Sequence, residues 1–515
     1  MRVWWAKRQN IRAKERFFRR FAHPDKEAPL LESGPIDLEL LAHAVHATRT
    51  ANPAPVDVTD LAYDARRVTP GALFVCVPGL KADGHDYAPQ AIADGAAALI
   101  VERELDLPVP QLVVADAREA MALAADAFFG HPTRELEVVG VTGTNGKTTT
   151  AFLLFAVLAA AGRRPGLLGT IENRVGGERR AAVRTTSEAI DVQRLLREMV
   201  DAGDRSAAME ATSHGSALKR LLGIRFAVLI FTNLSQDHLD FHGSLEEYYD
   251  AKRRLFTEPD LDGRRPPAVV NIGDAHGRRL AQELREIGEE PVTFELADAQ
   301  ELELTAGGAR FTVAGIPLET RLRGRFNVEN VLGAVKAARV LGIESQAIAT
   351  GVAHVTGVPG RFEAVDEGQP FTVLVDYAHT PEALENVLTE AREITAGRLV
   401  CVFGCGGDRD RSKRPLMGDV VARLADAAIV TSDNPRSEDP QAIIDEIVAG
   451  MSGDPEVEPD REAAIASAFE RAGEGDVVVI AGKGHEQGQE FADRVVPFDD
   501  REIARETLRR LAARA

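Results

Sequence analysis

From Val56 to the C terminus, short apolar runs alternate with longer helical patterns. The runs LFVCV (73–77), ALIVE (98–102) and LVVAD (112–116) flank an Ala-rich stretch at 88–98. Continuous runs of this length predict buried strands, and their alternation with helical segments predicts α/β layers. A second series places strands at LEVVGV (136–141), AAME (207–210), AVLIF (227–231) and AVVNI (268–272). Its helices are TTTAFLLFAVLAAAG, whose Ala and Leu content and final Gly162 suit a helix end, and NVENVLGAVKAARV (327–340). A third series repeats the alternation with FTVLVD (371–376), LVCVF (399–403), AAIVT (427–431) and VVVIAG (477–482).

The polar break HPTRE (131–135) and the turn-rich TGVPGR (356–361) separate the series, giving units of 37–135, 136–356 and 357–515. A length of 515 residues fits about three domains. Residues 21–36 mix Pro, Gly and charges without periodicity, so 1–36 reads as a basic, unstructured extension and linker. No window approaches the ~18 apolar residues of a membrane span.

Charge narrows the ligands. With 61 Lys+Arg against 80 Asp+Glu the formal charge is −19, which repels phosphate backbones and excludes a general nucleic-acid binder. A phosphate ligand then needs a local cationic or amide site. Cys76, Cys401 and Cys405 read as reduced thiols of a cytoplasmic protein, and zinc at Cys401 and Cys405 lacks the companion ligands it needs.

Such a local site is written in Gly143-Thr144-Asn145-Gly146-Lys147-Thr148-Thr149, between a predicted strand and a predicted helix. Backbone N–H groups of the turn and the helix N terminus can cradle phosphates. Lys147 can reach the terminal phosphoryl group, and the Thr148 hydroxyl can ligate Mg²⁺. The glycines are three apart and Val141 stands where the general P-loop has its first Gly, so the loop is a shortened variant.

This loop resembles that of the Mur ligases and their folylpolyglutamate synthetase relatives. The resemblance continues through MEATSHGSAL (209–218), TNLSQDHLDFHG (232–243), YYDAKRRLF (248–256), GRFNVENVLGA (324–334), VDYAHTPEAL (375–384), FGCGGDRDRSKRP (403–415) and AGKGHEQGQ (481–489). It implies three α/β domains: a UDP-substrate domain, a central P-loop ATPase domain with a mostly parallel sheet, and a C-terminal, Rossmann-like amino-acid domain. It also implies an ADP-forming ligase that activates the D-Glu side-chain carboxylate of UDP-N-acetylmuramoyl-L-alanyl-D-glutamate as an acyl phosphate. The amine of meso-diaminopimelate would then attack. ATP is the co-substrate, Mg²⁺ the cofactor, and a cytoplasmic monomer that takes part in peptidoglycan precursor synthesis is expected.

Carried over residue by residue, the resemblance makes Lys147, Glu210, His238 and Lys252 catalytic. Thr148, Glu210, His238 and Lys252 would hold the metal, with Lys252 carbamylated by CO₂ so that an ammonium becomes an anionic oxygen ligand. ATP falls to residues 143–149, with Asn327 and Asn330 one helical turn apart, Arg361 and Asp376. The UDP-linked substrate falls to Arg66, Thr185, Thr186, Thr212, Ser213 and Arg220. Ala65 replaces the serine of the family's Asp-Ser-Arg block, removing a hydroxyl. Diaminopimelate falls to Arg409, Asp433, Asn434, Pro435, Arg436, Gly482 and Glu486. An Arg fork can bind its second carboxylate, which lysine lacks, and Glu486 would receive the distal ammonium. A lysine or folate-type acceptor, and a non-catalytic nucleotide-binding homologue, are the rival readings. The first twenty residues, with eight basic side chains and the single acid Glu15, resemble nothing in the ligase pattern.

Overall fold

The computed structural model describes residues 34–513 except 80, 81 and 306. The basic extension expected at the N terminus lies outside the described residues up to position 33. At the end of the expected linker, Ile36–Asp37 already pairs as a strand with Asp57–Val58.

The strands form three main sheets. The first runs Arg49–Ala51, Gln111–Val113, Ala98–Val101, Ala72–Val75, Asp60–Ala62, parallel except for the first pair. The central sheet has eight strands in the order Glu178–Ala181, Glu172–Val175, Pro165–Leu168, Ser206–Glu210, Glu137–Thr142, Phe226–Phe231, Ala268–Asn271, Val292–Phe294. Only its pairings with Glu172–Val175 are antiparallel. The third sheet runs Glu363–Val365, Thr372–Asp376, Val477–Ala481, Leu399–Phe403, Ala427–Val430, Glu456–Val457, again parallel after the first pair.

Parallel strands require both faces to be covered, which is why they read as unbroken apolar runs. Each main sheet is accordingly flanked by two buried clusters, one per face. The helix Lys147–Ala160 sits against the central sheet and buries Leu153, Leu154, Val157 and Leu158. The helix Ser345–His354 crosses it at Gly351, where a Cβ would meet the Val157 Cα at 2.4 Å. Any side chain there would push the two helices apart.

One sheet has no counterpart in the sequence reading: an antiparallel meander of Gln300–Thr305, Gly308–Val313 and Ile316–Thr320. It buries Phe311, Val313, Ile316 and Leu318 in the cluster that also holds the helices Lys147–Ala160 and Arg325–Val340. Its alternating burial reflects one covered face and one wet face, a weaker apolar signal than that of the parallel strands.

The first sheet's domain docks on the central one through polar contacts around a small apolar seam. Tyr63 donates to Asp191 at 2.6 Å, Arg194 to Asp60 at 2.9 Å, and Arg118 lies 3.6 Å from Glu188. Ala189 and Ile190 join the first domain's core.

Candidate active site

The carboxyl ends of the central strands open into one cleft of about 980 Å³, whose far wall comes from the third sheet's domain. This is where open parallel sheets place ligands.

The strand Glu137–Thr142 delivers the loop 143–146 to the helix beginning at Lys147. Gly146 has φ +84, and a Cβ on it would meet the Asn330 Oδ1 at 2.2 Å, so only glycine lets the loop bend so close to the helix Arg325–Val340. The neighbouring strand braces the loop: Asn233 accepts from the Asn145 N–H at 2.9 Å through its side chain and from the Thr144 N–H at 3.0 Å through its carbonyl. Thr144 to Thr149 line the cleft, while Gly143 lies behind it as an acceptor. Lys147 and Lys252 both donate to the Gly143 carbonyl, at 3.0 and 2.8 Å. Burial lowers both ammonium pKa values, Lys252 strongly, and Lys147 lowers Lys252 further.

Glu210, 1% exposed at the end of Ser206–Glu210, is the hub of the site. It accepts from the Thr148 hydroxyl at 3.1 Å, the Thr170 hydroxyl at 3.1 Å and the Thr170 N–H at 2.8 Å. Thr170 in turn lies 3.0 Å from the Thr185 hydroxyl. Thr186 donates to the Glu210 carbonyl at 2.9 Å, and the Thr212 hydroxyl donates to Thr186 at 3.0 Å. Ser213 is 3.0 Å from His242. Arg220 donates to the Thr186 carbonyl at 3.0 Å and to Glu188 at 2.6 Å, and Arg184 meets the same Glu188 oxygen at 3.0 Å. Phosphate loop and threonine wall are thus joined through one carboxylate.

His238 lines the cleft in a left-handed conformation and pairs with Asp237 at 3.3 Å. Burial lowers its pKa. Among the described residues no trio of His, Cys, Asp or Glu converges on a metal position, at Cys401 and Cys405 or elsewhere. The expected Mg²⁺ set therefore depends on the Thr148 hydroxyl and Glu210, which meet in a buried spot, with His238 and Lys252 on the same cleft. Hard oxygen donors at the first two positions fit Mg²⁺.

From the third domain, Arg361 reaches Thr148 at 3.4 Å and lies over the Tyr377 ring at 4.7 Å. Asp376 lines the cleft, but its carboxylate is committed to the backbone: it accepts from Phe362 N–H at 2.6 Å and Ala378 N–H at 2.7 Å, and burial pushes its pKa up to about 6. Arg409 also lines the cleft. Asn330 does so while Asn327 does not. Asn327 stands behind as a brace, accepting from Asn330 at 3.0 Å and donating to the Arg323 carbonyl at 2.8 Å. One helical turn put both on one face, and only the nearer amide reaches the ligand side.

Two expected groups lie elsewhere. Arg66 is outside the cleft, 84% exposed in its side chain and folded on its own Asp64 at 2.7 Å. Asp433, Asn434, Pro435, Arg436, Gly482 and Glu486 do not line the cleft but cluster at the carboxyl ends of Ala427–Val430 and Val477–Ala481, where Arg436 and the cleft-lining Arg409 both approach Gly406. There Asn434 donates to Glu486 at 2.7 Å, and Arg436 donates to Glu490 at 2.9 Å and to the Gly407 carbonyl at 2.8 Å. Beneath, the fully buried Arg461 pairs with the fully buried Asp500 through two bonds of 2.7 Å and donates to the Ala481 and Ser432 carbonyls at 3.0 and 3.4 Å. It ties together the ends of the two strands that carry the cluster.

Several site residues escaped the sequence reading. Asn233 lies in TNLSQDHLDFHG just after the strand Phe226–Phe231, a strand-end polar position that marks it. Thr170 follows the strand Pro165–Leu168, whose Pro and Gly conceal it. Lys483, in a Gly-rich turn, has no periodicity to betray its burial. Asn271, Phe294 and Phe326 line the remaining end of the cleft.

Family models cover most of the chain in order: "Mur ligase family, catalytic domain" over 57–129, "Mur ligase middle domain" over 141–338 and "Mur ligase, glutamate ligase domain" over 360–484. The chain is 46% identical over 477 residues to a UDP-N-acetylmuramoyl-L-alanyl-D-glutamate--2,6-diaminopimelate ligase of Geobacillus thermodenitrificans, covering 90% of this chain and 96% of that one. A protein of the same name from Streptomyces coelicolor is 45% identical, with 88% and 93% covered. A solved structure bearing that name superposes with a TM-score of 0.64 at 34% identity, over 88% of this chain and 96% of that one. A Mycobacterium tuberculosis folylpolyglutamate synthase complexed with ADP and AMPPCP shares the fold at 19% identity and a TM-score of 0.58, over 70% and 92%. Matched over most of its length by these models and relatives, and with its phosphate loop, threonine wall and third-domain arm around one cleft, the chain belongs to the Mur ligase family.

Proposed function

We propose that this protein joins meso-diaminopimelate to UDP-N-acetylmuramoyl-L-alanyl-D-glutamate with cleavage of ATP to ADP and phosphate, in the cytoplasmic synthesis of peptidoglycan precursors. The observation that carries the reading is Glu210, whose carboxylate links Thr148 of the phosphate loop to Thr170 and so to Thr185 on the threonine wall. A carboxylate held on that wall lies beside a phosphoryl group held by the loop.

In this reading the D-Glu side-chain carboxylate attacks the γ-phosphorus and ADP leaves. The diaminopimelate amine then attacks the acyl carbon, loses a proton and expels phosphate. Two anions must meet in the first step, so charge neutralisation and positioning dominate. Lys147 exchanges its loop carbonyls for the terminal phosphoryl group, and Arg361 reaches the same spot from the third domain. Arg184 and Arg220 face the anionic substrate, and Phe294 and Phe326 offer flat apolar surface to the base. Thr148, Glu210, His238 and Lys252, the last as a carbamate, would hold Mg²⁺, which would supply further positive charge beside the triphosphate. Burial favours the neutral Lys252 amine, the form that adds CO₂ and releases a proton. Asn434, Arg436 and Glu486 receive the distal end of diaminopimelate, with Arg436 matching its carboxylate and Glu486 its ammonium. Among the described residues no helix is long and apolar enough to cross a membrane.

The test is incubation with ATP and both substrates. The UDP-sugar peptide should gain the mass of one diaminopimelate, with one ADP and one phosphate released per product. Equal turnover with lysine, or ADP release indifferent to the amino acid, refutes the assignment.

A further inference from the structure

We propose that Lys483 is a positioning residue that sets the geometry and donor pattern of the amino-acid pocket. The inference rests on reading Asn434 and Glu486 as contacts to the incoming amino acid. Lys483 follows the strand Val477–Ala481 by two residues and is 0% exposed. An ammonium has three N–H bonds, and here all three are used: to Asn434 Oδ1 at 2.8 Å, the Gly488 carbonyl at 2.7 Å and Glu486 Oε2 at 3.2 Å. Two of these acceptors belong to the pocket itself.

The consequence for Asn434 is a fixed amide orientation. Its Oδ1 accepts from Lys483 and also from the Glu490 N–H at 3.0 Å, and a backbone N–H can bond only to the oxygen. The amide nitrogen must therefore face Glu486, to which it donates at 2.7 Å. Glu486 Oε2 is thus occupied twice, whereas Oε1 accepts no hydrogen bond among the described residues and remains for a ligand ammonium. Without Lys483 the Asn434 oxygen keeps the Glu490 N–H as its one donor, and Glu486, held by the Asn434 amide alone, can swing into solvent, since its side chain is 31% exposed. A merely structural lysine would instead pin the hairpin Gly488–Glu490 and Val495–Pro497 through the Gly488 carbonyl, and its loss would leave substrate preference untouched.

The experiment measures steady-state KM for all three substrates in K483M, E486Q, the double variant and R436A. In K483M the diaminopimelate KM should rise about 10-fold or more while those for ATP and the UDP-dipeptide stay within about twofold. In the E486Q background the further rise on K483M should shrink, because both changes act through one contact. Should K483M not fold, the double variant, which removes both charges of the pair together, carries the comparison with E486Q: a further rise as large as 10-fold overturns the coupling. A raised diaminopimelate KM in R436A with none in K483M overturns the inference alone. No rise in either overturns the pocket assignment and the inference with it.

Discussion

Replacing Asp500 by Ala tests how the third domain holds its strand ends together. Arg461 and Asp500 are both 0% exposed, and two 2.7 Å charge-assisted bonds join them. The substitution leaves a guanidinium in the interior with only the Ala481 and Ser432 carbonyls, at 3.0 and 3.4 Å, as partners. Removing one member of such a pair costs about 3–5 kcal/mol, because the remaining charge is uncompensated. For a unit of this size that lowers the melting temperature by roughly 6–20 °C, at about 2–4 °C per kcal/mol. Arg461→Met with Asp500→Leu removes both charges and sacrifices only the two carbonyl bonds, a net cost of about 1–2 kcal/mol. The double variant should therefore be more stable than D500A. Urea unfolding followed by far-ultraviolet circular dichroism measures the difference, and hydrogen exchange at Val477–Ala481 localises it. A cost below about 1 kcal/mol for D500A, or a double variant no more stable than D500A, refutes the argument.

Other outcomes follow from the cleft. Glu210→Ala removes the acceptor shared by Thr148 and Thr170, and kcat should fall on the order of 10²–10³-fold in the product-mass assay. Arg436→Ala should raise the diaminopimelate KM about 10- to 100-fold, the loss of a charge-assisted contact, without improving lysine; an unchanged KM removes Arg436 from the pocket. Lys252→Ala should abolish turnover and regain part of it in added acetate, whereas indifference to every small carboxylate argues against a carbamate. Burial lowers the His485 pKa to about 4, and its buried Nδ1 has no hydrogen-bond partner among the described residues. Between pH 6.5 and 4 the unfolded chain then binds a proton that the folded one refuses, so this residue lowers stability as pH falls through that window. His485→Phe should flatten the slope of stability against pH there, and an unchanged slope refutes the assignment.

Legibility in the sequence followed physical cause. Leu399–Phe403 was readable to the residue because a strand buried on both faces admits no polar interruption. The meander at 300–320 was not, since one wet face breaks the run and no chemical motif draws attention to it. The phosphate loop was legible because its glycines answer to backbone conformation. Asn327 and Asn330 looked equivalent along the chain, and only the approach of Gly146 to Asn330 distinguishes them. Lys483 and the Arg461–Asp500 pair were hidden because isolated charges usually stay in water, and nothing local marks these as the exceptions.

The continuity of the cleft has a consequence for inhibitor chemistry. At about 980 Å³ it lies at the upper end of the range for small-molecule sites, and no wall divides the phosphate loop from the threonine wall and Arg220. A triphosphate mimic tethered to an anionic head group could occupy both ends as one molecule. Its second contact would be made at an effective concentration set by the tether, so two weak fragments could combine into a tight ligand without any new interaction.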